Sequence, residues 1–467
     1  MNHPFNRKNQ VLAHKAIAES DKQFIITRLD TGSGKSAIAC QMALDGHKTL
    51  ALVMTKSLQS QYADDYEFVN ITGKGDYECL QIGQQKKMLE EEIATADLCV
   101  CPKVFKGDCN SQCPYPLARQ EFISSQAGVT NYAKILRDKA LINYVPGFDP
   151  EYLFLDEAHE LSDLVVDFVG LTIKWGNKKI MQYCKPIHLD FDEILRKTIE
   201  KTQLPEPMAI DIAREEFLGR AFDWLSNLIQ SMVNNPPTHP SQGGDKNHYR
   251  WWKNKIEKFE VVLEASKIEP DCWFVHASDE EIVIRPLTAR FHFKELFDRC
   301  NKIVLMSATV PKHSQLSVYK PQFDTLGLGI PISEYDIIDL PHPYPLEDRP
   351  IYLLNTPNIT WRTGDEDKKL HAKLISDEIN KTPSHWITMI HFPSKAKAKS
   401  WSYWIKHFTK RPVYMPDYNA STIQAYDDWL DFKDRRRGAI CCSWQFWTGI
   451  DAGYINTNII ADMPYPN

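Results

Sequence analysis

No apolar run in this 467-residue chain reaches the roughly 18 residues that a bilayer-spanning helix needs. The N-terminal segment MNHPFNRKNQVLAHKAIAES has no apolar core of the kind a secretory leader carries. A cytoplasmic protein without a membrane partner is therefore expected, and in that compartment thiols stay reduced. Disulfides are accordingly not expected among the 11 cysteines. No two cysteines are spaced C-x-x-C, which argues against a standard zinc ribbon. Positive charge is not in excess: the formal net charge is −6, so the chain as a whole is no polycation. A basic groove inside an acidic whole would still be compatible with nucleic-acid binding. Internal repeats and long low-complexity runs are also missing. The one soft segment is NNPPTHPSQGGDKN, residues 234–247, which reads as an exposed loop.

The length suggests about two to four domains. A composition of 43% hydrophobic and 25% charged residues is that of a globular protein with material for real cores. Within it lies one strong phosphate-binding pattern. In FIITRLDTGSGKSAIACQMAL, residues 24–27 are a β-branched run, TGSGKS follows, and AIACQMAL has helical spacing. Strand, glycine-rich loop and helix in that order are the context of a P-loop. Thr31, Gly32, Ser33 and Gly34 would turn backbone N–H groups toward phosphate. Lys35 would reach the β- and γ-phosphates of ATP, and Ser36 would coordinate Mg²⁺. Leu29 stands where the generic pattern has its first glycine.

EYLFLDEAHE supplies a second half. Residues 152–155 form an apolar strand with acidic residues at its C-terminal end, where open α/β sheets place ligands. Asp156 would hold Mg²⁺, usually through water, and Glu157 would activate the attacking water. KTLALVMTKSLQSQY gives another buried strand, residues 50–54. Thr55, Lys56 and Gln59 follow it as a shelf for a backbone phosphate. In KIVLMSATVP a strand ends in Ser307-Ala308-Thr309, whose small hydroxyls would link the nucleotide site to the next domain. Finally, CVCPKVFKGDCNSQCPYPLAR, residues 99–119, holds four of the cysteines. All-thiolate sites suit iron–sulfur clusters or zinc.

Together these residues resemble a superfamily 2 helicase. ITGKGDYECL, CPYPLARQEF, VTNYAKIL and FLDEAHEL follow one another in the order of the XPD/DinG-like iron–sulfur helicases. IRPLTARFHFKELF, LMSATVP and FWTGIDAG extend the likeness along essentially the whole chain. The resemblance implies an α/β fold of two RecA-like P-loop motor domains, the second incomplete, with an iron–sulfur insertion and a mostly helical arch insertion. The first motor domain would take residues 1–160, containing the cluster insertion 79–113, and return at 276–340. The arch would take 161–275 and the partial second motor 341–467.

The resemblance also implies a [4Fe–4S] cluster held by Cys79, Cys109, Cys113 and either Cys101 or Cys99. Cys101 is preferred because Pro102 makes it a rigid turn position; zinc is the alternative metal. Arg7 and Gln10 lie where the family reads adenine, and a glutamine amide can pair with that base edge. His159, Ser307, Thr309, Gly449 and Asp451 would couple nucleotide state to movement. Thr55, Lys56, Tyr115, Arg119, His391, Ser394 and Lys395 would lie along DNA. In the arch, Arg250, Trp251, Trp252 and Lys253 mix aromatics with charge, which suits stacking on single strands, although helical aromatics are also ordinary core. Cys441 and Cys442 read as packing residues on opposite faces of a strand.

The implied activity is that of an ATP-dependent 5′→3′ DNA helicase acting as a monomer on single-stranded and forked duplex DNA. The family carries a further Q-x-x-G-R-x-x-R motif beyond MPYPN, whereas this sequence ends at Asn467. Arginine fingers contribute about 10³–10⁵ in rate, so a truncated chain is expected to bind nucleotide and hydrolyse it poorly. Two other functions fit the residues: a nucleotide-binding, DNA-binding module with lost or weak ATPase, and an RNA-directed helicase.

Overall fold

The computed structural model describes residues 7–29, 33–78, 113–137, 149–239, 243–267, 272–287, 289, 293–308, 328, 330–341, 363–417, 422–444 and 455–461. By their contacts, Met1–Met54 with Gln61–Pro343 make one compact unit, and Thr55–Ser60 with Tyr344–Asn467 make a second.

Along the first part of the chain run α1 (Lys8–Glu19), β1 (Phe24–Arg28), α2 (Lys35–Leu44), β2 (Thr49–Val53), α3 (Lys56–Tyr66), β3 (Val69–Asn70), α4 (Pro114–Ser124), β4 (Ala127–Asn131), α5 (Tyr132–Arg137) and β5 (Tyr152–Asp156). Then follow α6 (Leu161–Val169), β6 (Leu171–Lys174), α7 (Phe191–Thr202), α8 (Glu206–Asn234), α9 (Lys246–Ser266), β7 (Trp273–Ala277), β8 (Glu281–Pro286), β9 (Lys302–Ser307) and β10 (Tyr335–Asp339).

Seven strands form one parallel sheet in the order β10-β1-β9-β5-β2-β4-β3. Every residue of β2 and of β5 is buried. Such continuous apolar strands are what a parallel sheet covered on both faces requires. The order brings β1, β9 and β5 side by side, although about 270 residues of chain separate the first two in sequence. Arg28 sits level with Ser307, and Met306 level with Asp156. The three strands therefore end together, and the segments that follow them meet.

Between α6 and β9 the chain makes a different structure. β6, β8 and β7 form an antiparallel three-stranded sheet, with α7, α8 and α9 between its first and second strands in sequence. β6 alternates buried and exposed residues, as a strand covered on one face does. The helices carry the expected apolar stripes, for example Phe217, Ala221, Leu225 and Leu228 on α8. Helices make up most of this segment, and β7 and β8 follow them to Pro286; the β6–β8 pairing spans more than a hundred residues and leaves no local signal. Trp251 and Trp252 pack against the core, and the Trp252 indole donates to the Met232 main-chain oxygen at 3.0 Å. They serve packing here.

The second unit contains α10 (Asp365–Lys381), β11 (Thr388–His391), α11 (Lys395–Phe408), β12 (Val413–Tyr414), α12 (Thr422–Arg435), β13 (Ile440–Ser443) and β14 (Thr457–Ile460). Its four strands are parallel, in the order β12-β13-β11-β14. α11 buries Ala398, Trp401, Ser402 and Ile405, spacings of three and four that make one face of a helix. Arg411 ties the unit together: its guanidinium donates to the main-chain oxygens of Ile379 and Gly438 at 3.0 Å each and to that of Trp386. Cys441 and Cys442 are fully buried among apolar neighbours of two different clusters, as packing residues on opposite strand faces. Among the described residues, no helix is long and apolar enough to cross a membrane.

Candidate nucleotide-binding site

The ends of β1, β9 and β5 build the site. Past β1, the Leu29 amide donates to the Ser307 main-chain oxygen at 3.2 Å, which extends the sheet pairing into the loop. Gly34 is the N-cap of α2 and has φ +80°, a left-handed conformation that only glycine adopts cheaply. It turns the chain so that α2 begins at Lys35, and the first amides of a helix are open to an anion. The Lys35 ammonium lies 3.5 Å from the Leu29 main-chain oxygen, folded over its own loop. Ser33 is buried, and Ser36 sits in the first turn of α2. Thr31 and Gly32 lie outside the described residues.

Asp156 ends β5 and is 4% exposed. Burial pushes its carboxyl up to about 6, against the pull of the Lys35 charge; the neighbouring Glu157 raises it further and the Glu157 amide lowers it. That amide donates to Asp156 Oδ1 at 3.0 Å. The Tyr132 hydroxyl donates to the Asp156 main-chain oxygen at 2.7 Å. Glu157 itself has φ +51°. A left-handed glutamate costs about 1–2 kcal/mol, and here it lets the chain leave β5 and begin a turn at Ala158–Glu160.

His159 closes the group. Its Nδ1 lies 2.9 Å from Ser307 Oγ and 3.5 Å from Glu157 Oε2, and its Nε2 lies 3.7 Å from Glu160 Oε1. One imidazole therefore bridges the end of β9 and the acidic turn after β5. Ser307 is wholly buried and His159 is exposed, so the contact runs from the interior to the surface. Thr309 lies outside the described residues, as do Gly449 and Asp451.

The residues suggested for adenine are joined to the loop. Gln10 is buried; its Oε1 accepts from the Arg7 amide at 3.1 Å and its Nε2 donates to the Gly34 main-chain oxygen at 3.3 Å. The glutamine thus reaches the P-loop backbone from α1.

The residues suggested for DNA are differently placed. Thr55 Oγ1 accepts from the Leu58 amide at 3.2 Å and so caps α3, and Lys56 is exposed. Tyr115 is 8% exposed and belongs to the core. Lys134 donates to its hydroxyl, and the Lys134 ammonium stands 4.5 Å from the ring centroid while Lys74 stands 5.6 Å away. Tyr77 packs edge-on against the same ring at 5.4 Å, so the ring is largely covered. Arg119 is half-buried on α4. Ser394 caps α11 by accepting from the Lys397 amide at 3.3 Å. His391 ends β11, and burial lowers its ring below the ordinary histidine range, offset by a hydrogen bond with Asn458. Lys395 stands 5.6 Å over the Trp444 ring.

Of the suggested cluster ligands, Cys113 is described: it is buried and forms the N-cap of α4, with Pro114 at the first helical position. Cys79, Cys99, Cys101 and Cys109 lie outside the described residues. Two residues of the nucleotide site had no place in the sequence reading, Tyr62 and Tyr132. Each is a fully buried tyrosine near Asp156. The available signal was a polar ring at a core position, Tyr62 four residues after the buried Leu58 on α3.

The sequence family described as "Type III restriction enzyme, res subunit" matches residues 6–191, a span that contains the P-loop and the Asp156–His159 turn. No protein of curated function matches the chain. Solved structures similar to it include an XPD helicase, with 14% identity and a TM-score of 0.47 over 94% of this chain and 80% of that one. An apo XPD structure has 13% identity and a TM-score of 0.43 over 93% and 77%. A truncated XPD has 15% identity and a TM-score of 0.38 over 71% and 99%.

Proposed function

We propose that this chain is an ATP-dependent DNA helicase or translocase of the XPD/DinG-like kind, moving 5′→3′ on single-stranded DNA. One observation supports the reading: Lys35 and Ser36 follow β1 and Asp156 and Glu157 end β5, the strands on either side of β9, and His159 hydrogen-bonds Ser307 at the end of β9.

The donor set fits a nucleotide with Mg²⁺. Asp156 is a carboxylate whose proton affinity is raised by burial against the pull of Lys35, so a bound cation would favour its charged form. Ser36 and Asp156 would hold the metal, which supplies charge neutralisation to the β- and γ-phosphates. Lys35 would release the Leu29 carbonyl and pair with a phosphate oxygen. Glu157 would orient the attacking water and accept its proton. The His159–Ser307 bond would carry a change at the acidic turn to the end of β9.

The cluster reading rests on the cysteine pattern. Cys113 is a buried thiol at a fixed helix start, which suits a ligand. Protein purified anaerobically is expected to be brown and to contain about four irons per chain. Colourless protein with stoichiometric zinc would overturn the cluster.

The function itself is tested by strand displacement on duplexes bearing a 5′ or a 3′ single-stranded tail, with ATP and Mg²⁺. Displacement of the 5′-tailed DNA alone is the expected result. Tail binding without displacement or hydrolysis would leave a binding module in place of a helicase. Displacement confined to RNA-tailed substrates would replace DNA with RNA as the track.

A further inference from the structure

Between Glu378 and Asp417 the chain carries no aspartate or glutamate, but six lysines and one arginine. That stretch stands out in a chain whose formal net charge is −6. All of these cations except Lys381 lie from Lys395 to Arg411, in α11 and the turn after it. Opposite its buried face, α11 exposes Lys399, Tyr403, Lys406 and His407, and Lys410 is exposed just past the helix end. Steps of three and four residues put the helical ones in a single stripe. Two features of this face go beyond what solubility needs. Tyr403 is 68% exposed, more than any other large hydrophobic side chain among the described residues. Its ring meets that of Trp404 at 5.1 Å, and the Lys369 ammonium stands 5.4 Å from the Trp404 centroid. The second feature is the placing of the charge: Lys395 and Lys397 stand in the first turn of α11, which has no acidic residue. Cations there oppose the helix dipole, so the helix carries them against its own stability.

We propose that the exposed face of α11 is a binding surface for single-stranded DNA, with Tyr403 stacked on a base and Lys399, Lys406 and Lys410 on the flanking phosphates. The inference rests on the DNA reading above and adds a surface which that reading does not contain. Cations interleaved with an exposed ring suit a single strand, whose bases have free faces; in a duplex those faces are closed by their neighbours. Lys399 and Lys406 are about 10 Å apart along the helix axis, so the face is long enough to follow a backbone past the ring. Its position separates it from the segment His391–Lys395. α11 follows β11 in a parallel sheet, so it runs back from the carboxyl edge, where open α/β sheets take their ligands, toward the amino edge. Lys406 and Lys410 belong to that far end.

The test measures the anisotropy of a fluorescein-labelled thymidine oligomer with the full chain, without nucleotide, over a series of salt concentrations. Tyr403→Ala is expected to weaken binding about tenfold and to leave the salt dependence unchanged. Tyr403→Phe should bind as the wild type does, since the ring is what stacks. The combined change Lys399→Gln, Lys406→Gln and Lys410→Gln should flatten the slope of log affinity against log salt by about 2, at roughly 0.7 for each phosphate contact on a single strand. All four positions are exposed, so melting temperatures should stay at the wild-type value. A flattened slope with Tyr403→Ala at wild-type affinity would mean a face for any polyanion, such as an acidic protein segment, and would overturn the single-strand assignment. Wild-type affinity and slope in both sets of variants would remove α11 as the surface and leave the DNA reading standing. A wild-type chain that binds no single-stranded DNA at any salt concentration would overturn both.

Discussion

Asp156→Asn is expected to lower Mg²⁺-dependent nucleotide hydrolysis by about 10³-fold, the several kcal/mol that a metal's charge contributes to such a reaction, and yet to make the resting protein more stable at neutral pH. The two effects share a cause. Burial raises the Asp156 carboxyl from the ordinary 3.8 to about 6. Its folded-state proton affinity therefore exceeds that of the unfolded chain. Stability linked to this group is highest below the unfolded value, falls as pH rises from about 4 to about 6, and stays low above that. The shift is about 2 pH units at 1.36 kcal/mol each, an upper limit on the order of 3 kcal/mol. Asparagine is neutral at all these pH values and keeps an oxygen for the Glu157 amide. Thermal unfolding in EDTA, followed from pH 4 to pH 8, should show the downward slope in the wild type and its loss in Asp156→Asn. A variant that is less stable than the wild type at neutral pH, with the slope intact, would refute the assignment. In the wild type, Mg²⁺-dependent nucleotide binding should weaken below about pH 6, where a proton competes with the metal for the carboxylate.

A good deal of this site was legible in the sequence, because each part of it is local. The run before TGSGKS was read as a strand over residues 24–27, and the strand found is Phe24–Arg28. That before DEAH was read over 152–155, and the strand is Tyr152–Asp156. Both are unbroken β-branched or apolar runs followed by polar residues, and a parallel sheet needs that pattern of its inner strands. What the sequence does not carry is adjacency. That β9 lies between β1 and β5, so that Ser307 reaches His159, follows from crossovers of the chain over the sheet. Tyr62 and Tyr132 were illegible for the same reason, since each becomes special only beside Asp156. Tyr115, in CPYPLAR, was expected beside the DNA path; α4 turns it inward, where Lys134 donates to its hydroxyl.

Gly34→Ala is expected to weaken nucleotide binding by about 10–100-fold with little change in the fold. Two separate strains produce the loss, and they can be told apart. The first is conformational: φ is +80°, and an alanine there costs about 1–2 kcal/mol, which alone is roughly tenfold. In the absence of ligand the loop can relax this strain by rotating out of the left-handed conformation. A bound phosphate holds the loop in place, so the cost is charged to affinity. The second strain is steric. A Cβ at position 34 would stand 2.0 Å from Gln10 Nε2, far inside van der Waals contact. The amide must leave, and its bond to the Gly34 main-chain oxygen goes with it. Gln10→Ala removes the steric part and leaves the conformational part. Isothermal titration of the four proteins of this cycle should therefore give a smaller loss for Gly34→Ala in the Gln10→Ala background than in the wild type. Equal losses in both backgrounds would mean that Gln10 merely lies beside the loop. A smaller loss would make Gln10 a brace that sets the loop's conformation, in addition to the adenine contact that the family resemblance implies for it.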